Sequence, residues 1–350
     1  MTTQSRPTQS RSGPSAQNIT LNDVAKEAGV SIITVSRALN KPELVSKKTL
    51  ARVKAVVDEL GYVPNLLAGN LKSNRSRLIV MLLPTILGSP FLRSVQVFMD
   101  YVTDAGYQVM LGQTGYDNSH QESLLDVIIG RRPDGVVITG RVTSEAARRK
   151  LQVAGIPVVE VWEIGDDPVD MMVGFSHYAV GKAVADYLWA KDKRNFALAV
   201  GHDVRGRQRA AGFKQRVEEL HREFGGPTPN LYRYSVQVPS TVGSGRDTLA
   251  QIVREQKEVD AVVCSSDQVA AGVLYEAQAR QIDVPNQLAV MGYGDMDFAS
   301  STVPALSTVK INDEEIGLNA AKMLIACAQG EKITQPIVDI GFSIVARETV

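Results

Sequence analysis

From Leu78 onward, short runs rich in Val, Ile and Leu alternate with longer stretches whose apolar residues recur at helical spacing. The runs include "LIVMLLP", "GVVITG" and "PVVEVW", and later "NFALAVG", "AVVCSSD" and "LAVMGYG". Strands that alternate with helices build parallel sheets with helices on both faces. The pattern therefore predicts two successive Rossmann-like α/β lobes. The last two runs, "STVKI" and "VDIGFSIV", are expected to add the final strands to these lobes.

The chain before Leu78 differs in charge from the rest. Residues 1–77 contain 12 Lys or Arg and 5 Asp or Glu, a formal charge of +7, and the remaining 26 basic and 33 acidic residues leave −7. A compact basic segment on an acidic body is typical of a small polyanion-binding unit carried by a larger module.

Residues 19–64 are predicted to form an all-α head of three short helices. Thr20 and Asp23 have the spacing of a capping box, and Ser31 and Ser46 are each suited to cap a following helix. The first two helices, joined by a tight turn that contains glycine, form a helix-turn-helix. In that arrangement the second helix lies in the major groove of DNA.

The start of the second predicted helix carries the candidate base-contacting residues, which are Ile32, Ile33, Thr34 and, one turn later, Arg37. Apolar side chains contact the thymine methyl group, and arginine donates to guanine or phosphate. The alternative is that an isoleucine packs against the first or third helix. The basic surroundings favour base contact for at least one of the two.

A hinge is predicted after the head, over residues 65–76. Pro64 cannot continue the third helix, and Asn65 can cap the short helical pattern "LLAGNLK". A helix of this length is unstable alone in water. The basic segment "SNRSR" that follows is typical of an exposed linker. Residues 1–18, rich in Ser, Thr, Gln and Pro, are expected to be a disordered tail.

Several other classes of protein are disfavoured. The N-terminus lacks the apolar run of a signal peptide, and "LIVMLLP" is too short to span a bilayer, so we expect a cytoplasmic protein with no membrane role. The two cysteines, Cys264 and Cys327, lie in separate apolar segments and are expected to be free thiols. The four histidines lack metal-ligand spacing. We expect no metal, no cofactor and no catalytic residues.

The segments "TLNDVAKEAGVSIITVSRALN" and "VSKKTLARVKAVVDELGYVPN" resemble the LacI/GalR family of transcriptional repressors, and the likeness runs from about residue 19 to the C-terminus. The resemblance implies that residues 77–350 form a two-lobed, periplasmic-binding-protein-like domain for effector binding and dimerisation. Its N-lobe would span about 77–175 together with returning C-terminal segments, and its C-lobe about 176–305.

The resemblance also implies roles for residues that contact DNA. It places operator base contacts at Ile32, Ile33 and Arg37. In the hinge helix it places Leu71 at the position that wedges into the minor groove, with Ala68 one turn earlier on the same face.

Ligands of open α/β sheets bind beyond the carboxyl ends of the strands. Polar residues at predicted strand ends are therefore candidates for effector binding, and they include Thr139, Arg141, His177, Ser266 and Asp295. The family resemblance adds the arginine of "RAAGF", Arg209, and the aspartate of "DQVAAG", Asp267. An arginine and an aspartate suit a polyhydroxylated ligand, and the arginine also suits a carboxylate.

The expected effector is a small sugar acid. Gly294 and Ala179 stand where other members of the family carry carboxylates, which makes the cleft more favourable to an anion. Segments such as "DAGYQVMLGQTGY" and "DMMVGFSHYA" resemble gluconate-responsive members. Gluconate or 6-phosphogluconate is thus the hypothesis, and neutral sugars or nucleobases, which bind the same cleft in relatives, remain alternatives.

The resemblance implies a homodimer on palindromic operator DNA, in which effector binding closes the lobes and separates the hinges. Phe91, Val95 and Phe98 are candidates for the dimer face, and a place inside the lobe is equally plausible for Phe98. Effector-induced release is favoured over purine-type corepression. The alternative from another class of protein is a sugar-acid-binding protein or an enzyme in which the N-terminal head has no part in the function.

The two glycines of "VGSGRDTLA" lack dinucleotide-binding or P-loop spacing. A turn followed by a helix is predicted there.

Overall fold

The computed structural model of the protein describes residues 19–63, 75–87, 90–116 and 121–350. The chain divides into two compact units, residues 1–74 and residues 75–350. The predicted tail over residues 1–18 lies outside the described residues, as do Ala68 and Leu71 of the predicted hinge.

Three helices make up the described part of the first unit: α1 (Leu21–Glu27), α2 (Ile32–Asn40) and α3 (Lys47–Leu60). A 3₁₀ segment, Pro42–Leu44, lies between the last two. The predicted caps are confirmed. The side chain of Thr20 accepts a hydrogen bond from the amide of Asp23, whose carboxylate accepts one from the amide of Thr20, at 2.8 Å. Ser31 and Ser46 accept from the third amide of the next helix in the same way.

The head has its own small core, to which each helix contributes apolar residues at helical spacing. The buried members are Val24, Ala25, Ala28, Val35, Ala38, Val53 and Val56. Because these residues define one face of each helix, they also fix which side chains of α2 point away from the core.

The strands of the second unit are, in chain order, β1 (Leu78–Leu83), β2 (Gln108–Gln113), β3 (Gly135–Thr139), β4 (Val158–Val161), β5 (Met171–Gly174), β6 (Asn195–Gly201), β7 (Asn230–Val236), β8 (Ala261–Cys264), β9 (Ala289–Met291), β10 (Thr308–Lys310), β11 (Ile337–Asp339) and β12 (Ser343–Val345). Its helices are α4 (Leu92–Asp104), α5 (Gln121–Gly130), α6 (Glu145–Ala154), α7 (His177–Trp189), α8 (Val204–Phe224), α9 (Val242–Arg254), α10 (Asp267–Ala279) and α11 (Asp313–Gln329). A 3₁₀ segment, Ala299–Ser301, follows β9.

The strands form two parallel sheets, one in each lobe, as predicted. The N-lobe sheet has the order β11-β5-β4-β3-β1-β2, and the C-lobe sheet has the order β7-β6-β8-β9. An antiparallel pair, β10 and β12, lies beside the C-lobe sheet through a bridge between Met291 and Ser307. The chain therefore passes between the lobes after β5, after β10 and between β11 and β12.

Helix α4 packs its apolar face against α11 within the N-lobe. Phe91, Val95 and Phe98 are all buried in the core of this single chain. The prediction that they belong to the dimer face is therefore wrong, and the intradomain alternative holds for all three. Helical periodicity identifies an apolar face but does not say whether the same chain or a partner covers it.

Helices α9 and α10 approach so closely that glycines are required at their contact. A Cβ atom on Gly245 would lie 1.9 Å from the carbonyl oxygen of Val269, and one on Gly272 would lie 1.9 Å from that of Val242. The "VGSG" segment predicted to begin with a turn lies wholly within α9, which Thr241 caps. Within the described residues, no helix is long and apolar enough to cross a membrane.

The packing of α9 on α10 gives a test with a matched control. Gly245→Ala is expected to lower the free energy of unfolding by about 3 kcal/mol, because its methyl group overlaps a backbone carbonyl. Gly243→Ala, two residues earlier, meets its nearest atom at 3.5 Å. That variant should be neutral or gain up to about 1 kcal/mol. Thermal and urea unfolding followed by circular dichroism compares the two, and equal stability would contradict the assigned contact.

Candidate DNA-binding and effector sites

The first turn of α2 presents two large apolar side chains to solvent. Ile32 is 44% exposed and Ile33 is 64% exposed, and Arg37 on the next turn is exposed too. Thr34 is half-buried, and its hydroxyl lies 2.9 Å from that of the capping residue Ser31. The structure therefore does not support the alternative in which Ile32 or Ile33 is buried against the first or third helix.

Basic side chains share the exposed surface of the head with these isoleucines. They include Lys26, Lys41, Lys47, Lys48, Arg52 and Lys54. Exposed lysine and arginine side chains supply sequence-independent attraction to phosphates, whereas the residues at the start of the second helix are placed to contact bases. The head therefore carries both kinds of group that a DNA-binding helix-turn-helix needs.

A cavity of about 400 Å³ lies between the two lobes of the second unit. Thr139 and Arg141, at the end of β3, line it from the N-lobe, and Arg205 and Gln208 of α8 line it from the C-lobe. Gln208 donates a hydrogen bond of 3.0 Å to the carboxylate of Glu163, so the lobes meet across the cavity. This volume is within the range of small-molecule sites.

Arg209 lies on α8 directly after Gln208 and one turn after Arg205, and it contacts His177 and Tyr293. Its Nη1 donates to Nδ1 of His177 at 3.2 Å, and its Nη2 donates to the carbonyl oxygen of Ser265 at 3.3 Å. The guanidinium carbon lies 4.0 Å from the ring centroid of Tyr293, which is a cation–π distance. The aromatic ring and the two acceptors thus fix the orientation of the guanidinium group.

His177 is buried, and its ring joins both lobes. Nε2 lies 2.9 Å from the carbonyl oxygen of Trp162, in the N-lobe, while Nδ1 faces Arg209. Burial, together with the charges of Arg209 and Arg205, holds the pKa of His177 well below its usual range. The ring is therefore neutral at pH 7, donates to Trp162 through Nε2 and accepts from Arg209 through Nδ1.

The charge of Arg209 helps to lower the pKa of Asp203, but the two side chains form no ion pair. Among the residues that the structure describes, no carboxylate oxygen lies within the 4.0 Å of an ion pair from its guanidinium nitrogens. A neutral histidine, a carbonyl oxygen and an aromatic face orient the group without cancelling its charge. An arginine held in this way is suited to bind a carboxylate or phosphate.

Trp162 has φ = 69°, a left-handed conformation that non-glycine residues rarely adopt. Its indole nitrogen donates to the hydroxyl of Ser94 at 3.0 Å, and its ring meets those of Phe91 and Phe175 edge to face. These contacts hold the strained residue at the end of β4. Its carbonyl oxygen is thereby available to His177.

Asp267 has no exposed surface, and both of its carboxylate oxygens have partners within the C-lobe. Oδ1 accepts from the hydroxyl of Thr308 at 2.6 Å, and Oδ2 accepts from the amide of Met296 at 2.7 Å. Burial raises the pKa of Asp267, which these hydrogen bonds oppose. A direct contact between Asp267 and an effector therefore requires the carboxylate to leave one of these partners.

Two other predicted residues also have partners inside the C-lobe. Asp295 forms an ion pair of 2.7 Å with Arg347. Ser266 caps α10, and its hydroxyl lies 3.1 Å from that of Ser240. The structure thus brings His177 together with Arg209, and places Thr139 and Arg141 on the cavity. Five predicted residues are not among those that line that cavity: His177, Arg209, Ser266, Asp267 and Asp295.

Arg205 and Arg207 also follow a predicted strand end, and the sequence left a binding role and a solvated surface position equally plausible for each; the structure places Arg205 on the cavity and leaves Arg207 exposed. Two contributors to the site were not among the predicted binding residues: Gln208 and Tyr293. A signal for Gln208 was present in the sequence, because positions 205, 208 and 209 follow the end of β6 and share one face of a helix. Tyr293 had a weaker signal, its place at the end of the apolar run "LAVMGY".

Comparisons with known proteins agree with this architecture. Residues 20–65 match the family described as "Bacterial regulatory proteins, lacI family", and residues 185–350 match the "Periplasmic binding protein-like domain". The chain is 33% identical to the HTH-type transcriptional regulator GntR of Pseudomonas aeruginosa over 331 residues, which cover 94% of this chain and 95% of that protein.

Solved structures show the same likeness. A LacI-family transcriptional regulator from Silicibacter pomeroyi superposes with a TM-score of 0.86 at 31% identity, over 95% of this chain and 99% of that one. The lac repressor dimer bound to operator and the anti-inducer ONPF gives a TM-score of 0.78 at 25% identity, over 95% of this chain and 99% of that one.

These relatives are transcriptional regulators and not enzymes, so the alternative of an enzyme with an incidental head is set aside. The chain belongs to the LacI family of bacterial regulatory proteins and is a DNA-binding transcriptional repressor with a two-lobed effector domain.

Proposed function

We propose that this repressor is released from a palindromic operator by a small sugar acid whose carboxylate binds Arg209. The observation that carries the proposal is the guanidinium group of Arg209, oriented by His177 and Tyr293 but without an ion-pair partner in the described part of the chain. A carboxylate would supply the missing charge and two acceptor oxygens. The gluconate-like segments of the sequence make gluconate the first candidate.

The cavity lined by Gln208, which precedes Arg209 on α8, carries polar groups that suit the rest of such a ligand. Thr139 offers a hydroxyl to the cavity, and Gln208 and Glu163 offer an amide and a carboxylate. Hydroxyl groups both donate and accept, so a polyhydroxylated chain can bond to all three. We infer that Asp267 contributes indirectly by ordering the loop at Met296.

The contacts across the cavity suggest how binding would reach the DNA. Glu163, Trp162 and Phe91 belong to the N-lobe, while Gln208, Arg209 and Arg205 belong to the C-lobe. A ligand held by both sets stabilises one relative position of the lobes. Coupling between two sites is typically 1–3 kcal/mol, about a 5- to 150-fold change in operator affinity.

We propose a homodimer on the operator, as in the lac repressor relative. Two exposed apolar surfaces of the effector domain are candidates for its interface. One is the edge strand β2, where Met110 and Leu111 are exposed, and the other is the groove beside Tyr275 and Val303. Effector-dependent loss of the hinge remains a prediction, because Ala68 and Leu71 lie outside the described residues.

The proposed base contact gives a prediction for the head. An operator is first selected from a random DNA pool by the wild-type protein, and its affinity is then measured by fluorescence anisotropy. Ile33→Ala should weaken binding to that operator about tenfold, or about 1.4 kcal/mol, because an apolar contact with a base is lost. Binding to nonspecific DNA should not change, because phosphate contacts supply it.

Leu44→Ala is the matched control, because Leu44 is 60% exposed in the same unit but lies outside α2. It should leave operator affinity within about twofold of the wild type. If both variants lose the same operator affinity, or if neither loses any, Ile33 does not contact a base.

The proposed carboxylate contact gives a prediction for the effector domain. Arg209→Gln should bind the selected operator as tightly as the wild type, and D-gluconate should no longer release it, because the ligand charge loses its partner. Arg207→Gln is the control, since Arg207 is an exposed neighbour on α8 whose guanidinium donates to the carbonyl oxygen of His202. Release of the Arg209→Gln protein at the wild-type gluconate concentration would remove this residue from the proposal.

A further inference from the structure

The three arginines that line the cavity between the lobes are held by groups of the protein itself. Nη2 of Arg148 lies 3.0 Å from Oδ2 of Asp167, and Arg141 donates to the carbonyl oxygen of Asp167. Nε of Arg205 lies 3.7 Å from Oδ1 of Asp203. Two further nitrogens, Nε of Arg141 and Nη1 of Arg205, are buried and do not reach the cavity. The charges of these arginines therefore serve contacts inside the protein.

Carboxylates outnumber arginines in the same lining. They are Glu145, Glu163, Asp167 and Asp203. The two aspartates form the ion pairs just described, and Glu145 is exposed, where solvent and salt screen its charge. Glu163 is buried, and in the described part of the chain no lysine or arginine nitrogen lies within 4.0 Å of its carboxylate. Glu163 thus brings a negative charge to the cavity that no ion pair neutralises.

Only one oxygen of this carboxylate is occupied. Oε1 of Glu163 accepts a hydrogen bond of 3.0 Å from the side-chain amide of Gln208. Oε2 has no hydrogen-bond partner among the described residues, and it keeps accessible surface although the residue as a whole is only 8% exposed. An ionised carboxylate accepts hydrogen bonds and cannot donate them. Oε2 therefore suits a hydroxyl group of a ligand, which can donate, and repels a carboxylate or phosphate, which offers only acceptor oxygens and negative charge.

Arg209 is not part of this lining, but it adjoins it along both chain segments. On α8 it directly follows Gln208, the partner of Glu163. In the N-lobe, Glu163 directly follows Trp162, whose carbonyl oxygen holds the histidine that orients Arg209. A ligand with its carboxylate on Arg209 therefore extends past the Gln208–Glu163 pair into the cavity. Its anionic end and its remaining chain meet surroundings of opposite charge.

We propose that the cavity admits the uncharged, hydroxyl-bearing chain of the effector and excludes a second anionic group, and that Glu163 makes this selection. A buried charge that the wrong ligand cannot neutralise is an effective means of discrimination. The ligand class is then a sugar acid with one carboxylate and no phosphate, and D-gluconate belongs to it. The inference rests on the proposed function and narrows its ligand class.

Calorimetric titration of the full-length protein tests this with three probes: D-gluconate, D-glucarate and 6-phospho-D-gluconate. Glucarate carries a second carboxylate and 6-phosphogluconate a phosphate at the far end of the same chain. The wild type should bind gluconate at least about tenfold more tightly than either doubly charged acid, because like charges are brought together in the cavity. Equal or tighter binding of either doubly charged acid would overturn the inference.

Glu163→Gln removes the charge and keeps the size of the side chain and one acceptor oxygen. Its preference for gluconate over the doubly charged acids should fall to about threefold or less, because the repulsion is gone. Asp166→Asn is the matched control, since Asp166 is an exposed carboxylate three residues later that does not line the cavity. It should keep the whole preference. An unchanged preference in Glu163→Gln, or the same loss in both variants, would contradict the role of Glu163.

Glu163→Asp provides a second measurement, which also serves if the glutamine variant does not fold. It keeps the charge and shortens the side chain by one methylene group, so it should still prefer gluconate to both doubly charged acids. Loss of that preference in Glu163→Asp would mean that the shape of the side chain, and not its charge, makes the selection.

The failure of this inference is distinguishable from that of the proposed function. If the wild type binds gluconate but binds a doubly charged acid as tightly, only the exclusion of a second anion is wrong. If it binds none of the three acids, the sugar-acid effector itself is wrong, and this inference falls with it.

Discussion

The effector domain is organised around one buried, neutral histidine. His177 begins α7 where the chain passes from the N-lobe to the C-lobe, and it bonds to the carbonyl oxygen of Trp162 on one side and to Arg209 on the other. Because the ring is uncharged, it orients the arginine without cancelling its charge. Trp162, whose backbone is strained, supplies one acceptor, and the ring face of Tyr293 packs against Arg209. These contacts require the two lobes to lie close together.

The consequence is that two guanidinium groups of α8 are held in place before any ligand binds. Arg209 is oriented by neutral groups, and Arg205 is held between Asp203 and two aromatic rings. Preorganised charge of this kind favours an anionic ligand because little ordering remains to be done on binding. Since the residues concerned come from both lobes, ligand affinity and lobe position are linked.

The features of the fold that depend on neighbouring residues in the sequence were predictable. The caps at Thr20, Ser31 and Ser46 and the strand-helix alternation follow from spacing alone, and the exposure of Ile33 follows from the amphipathic pattern of α2. Interactions between distant segments were not predictable. Whether Phe98 faces a partner or its own core, and whether Gly245 marks a turn or a helix contact, depends on what packs opposite. Likewise, Asp267 was expected to contact the effector, but nothing local shows that Thr308 and Met296 occupy its oxygens.

The most direct test of the account is the reciprocity between effector and operator. The wild-type protein is titrated with D-gluconate by calorimetry, alone and in complex with its selected operator. Linkage requires that two ligands favouring different states weaken each other, so the operator should lower the affinity for gluconate, by about 5- to 150-fold. The same affinity in both titrations, or a higher affinity in the complex, would contradict release of the operator by a sugar acid.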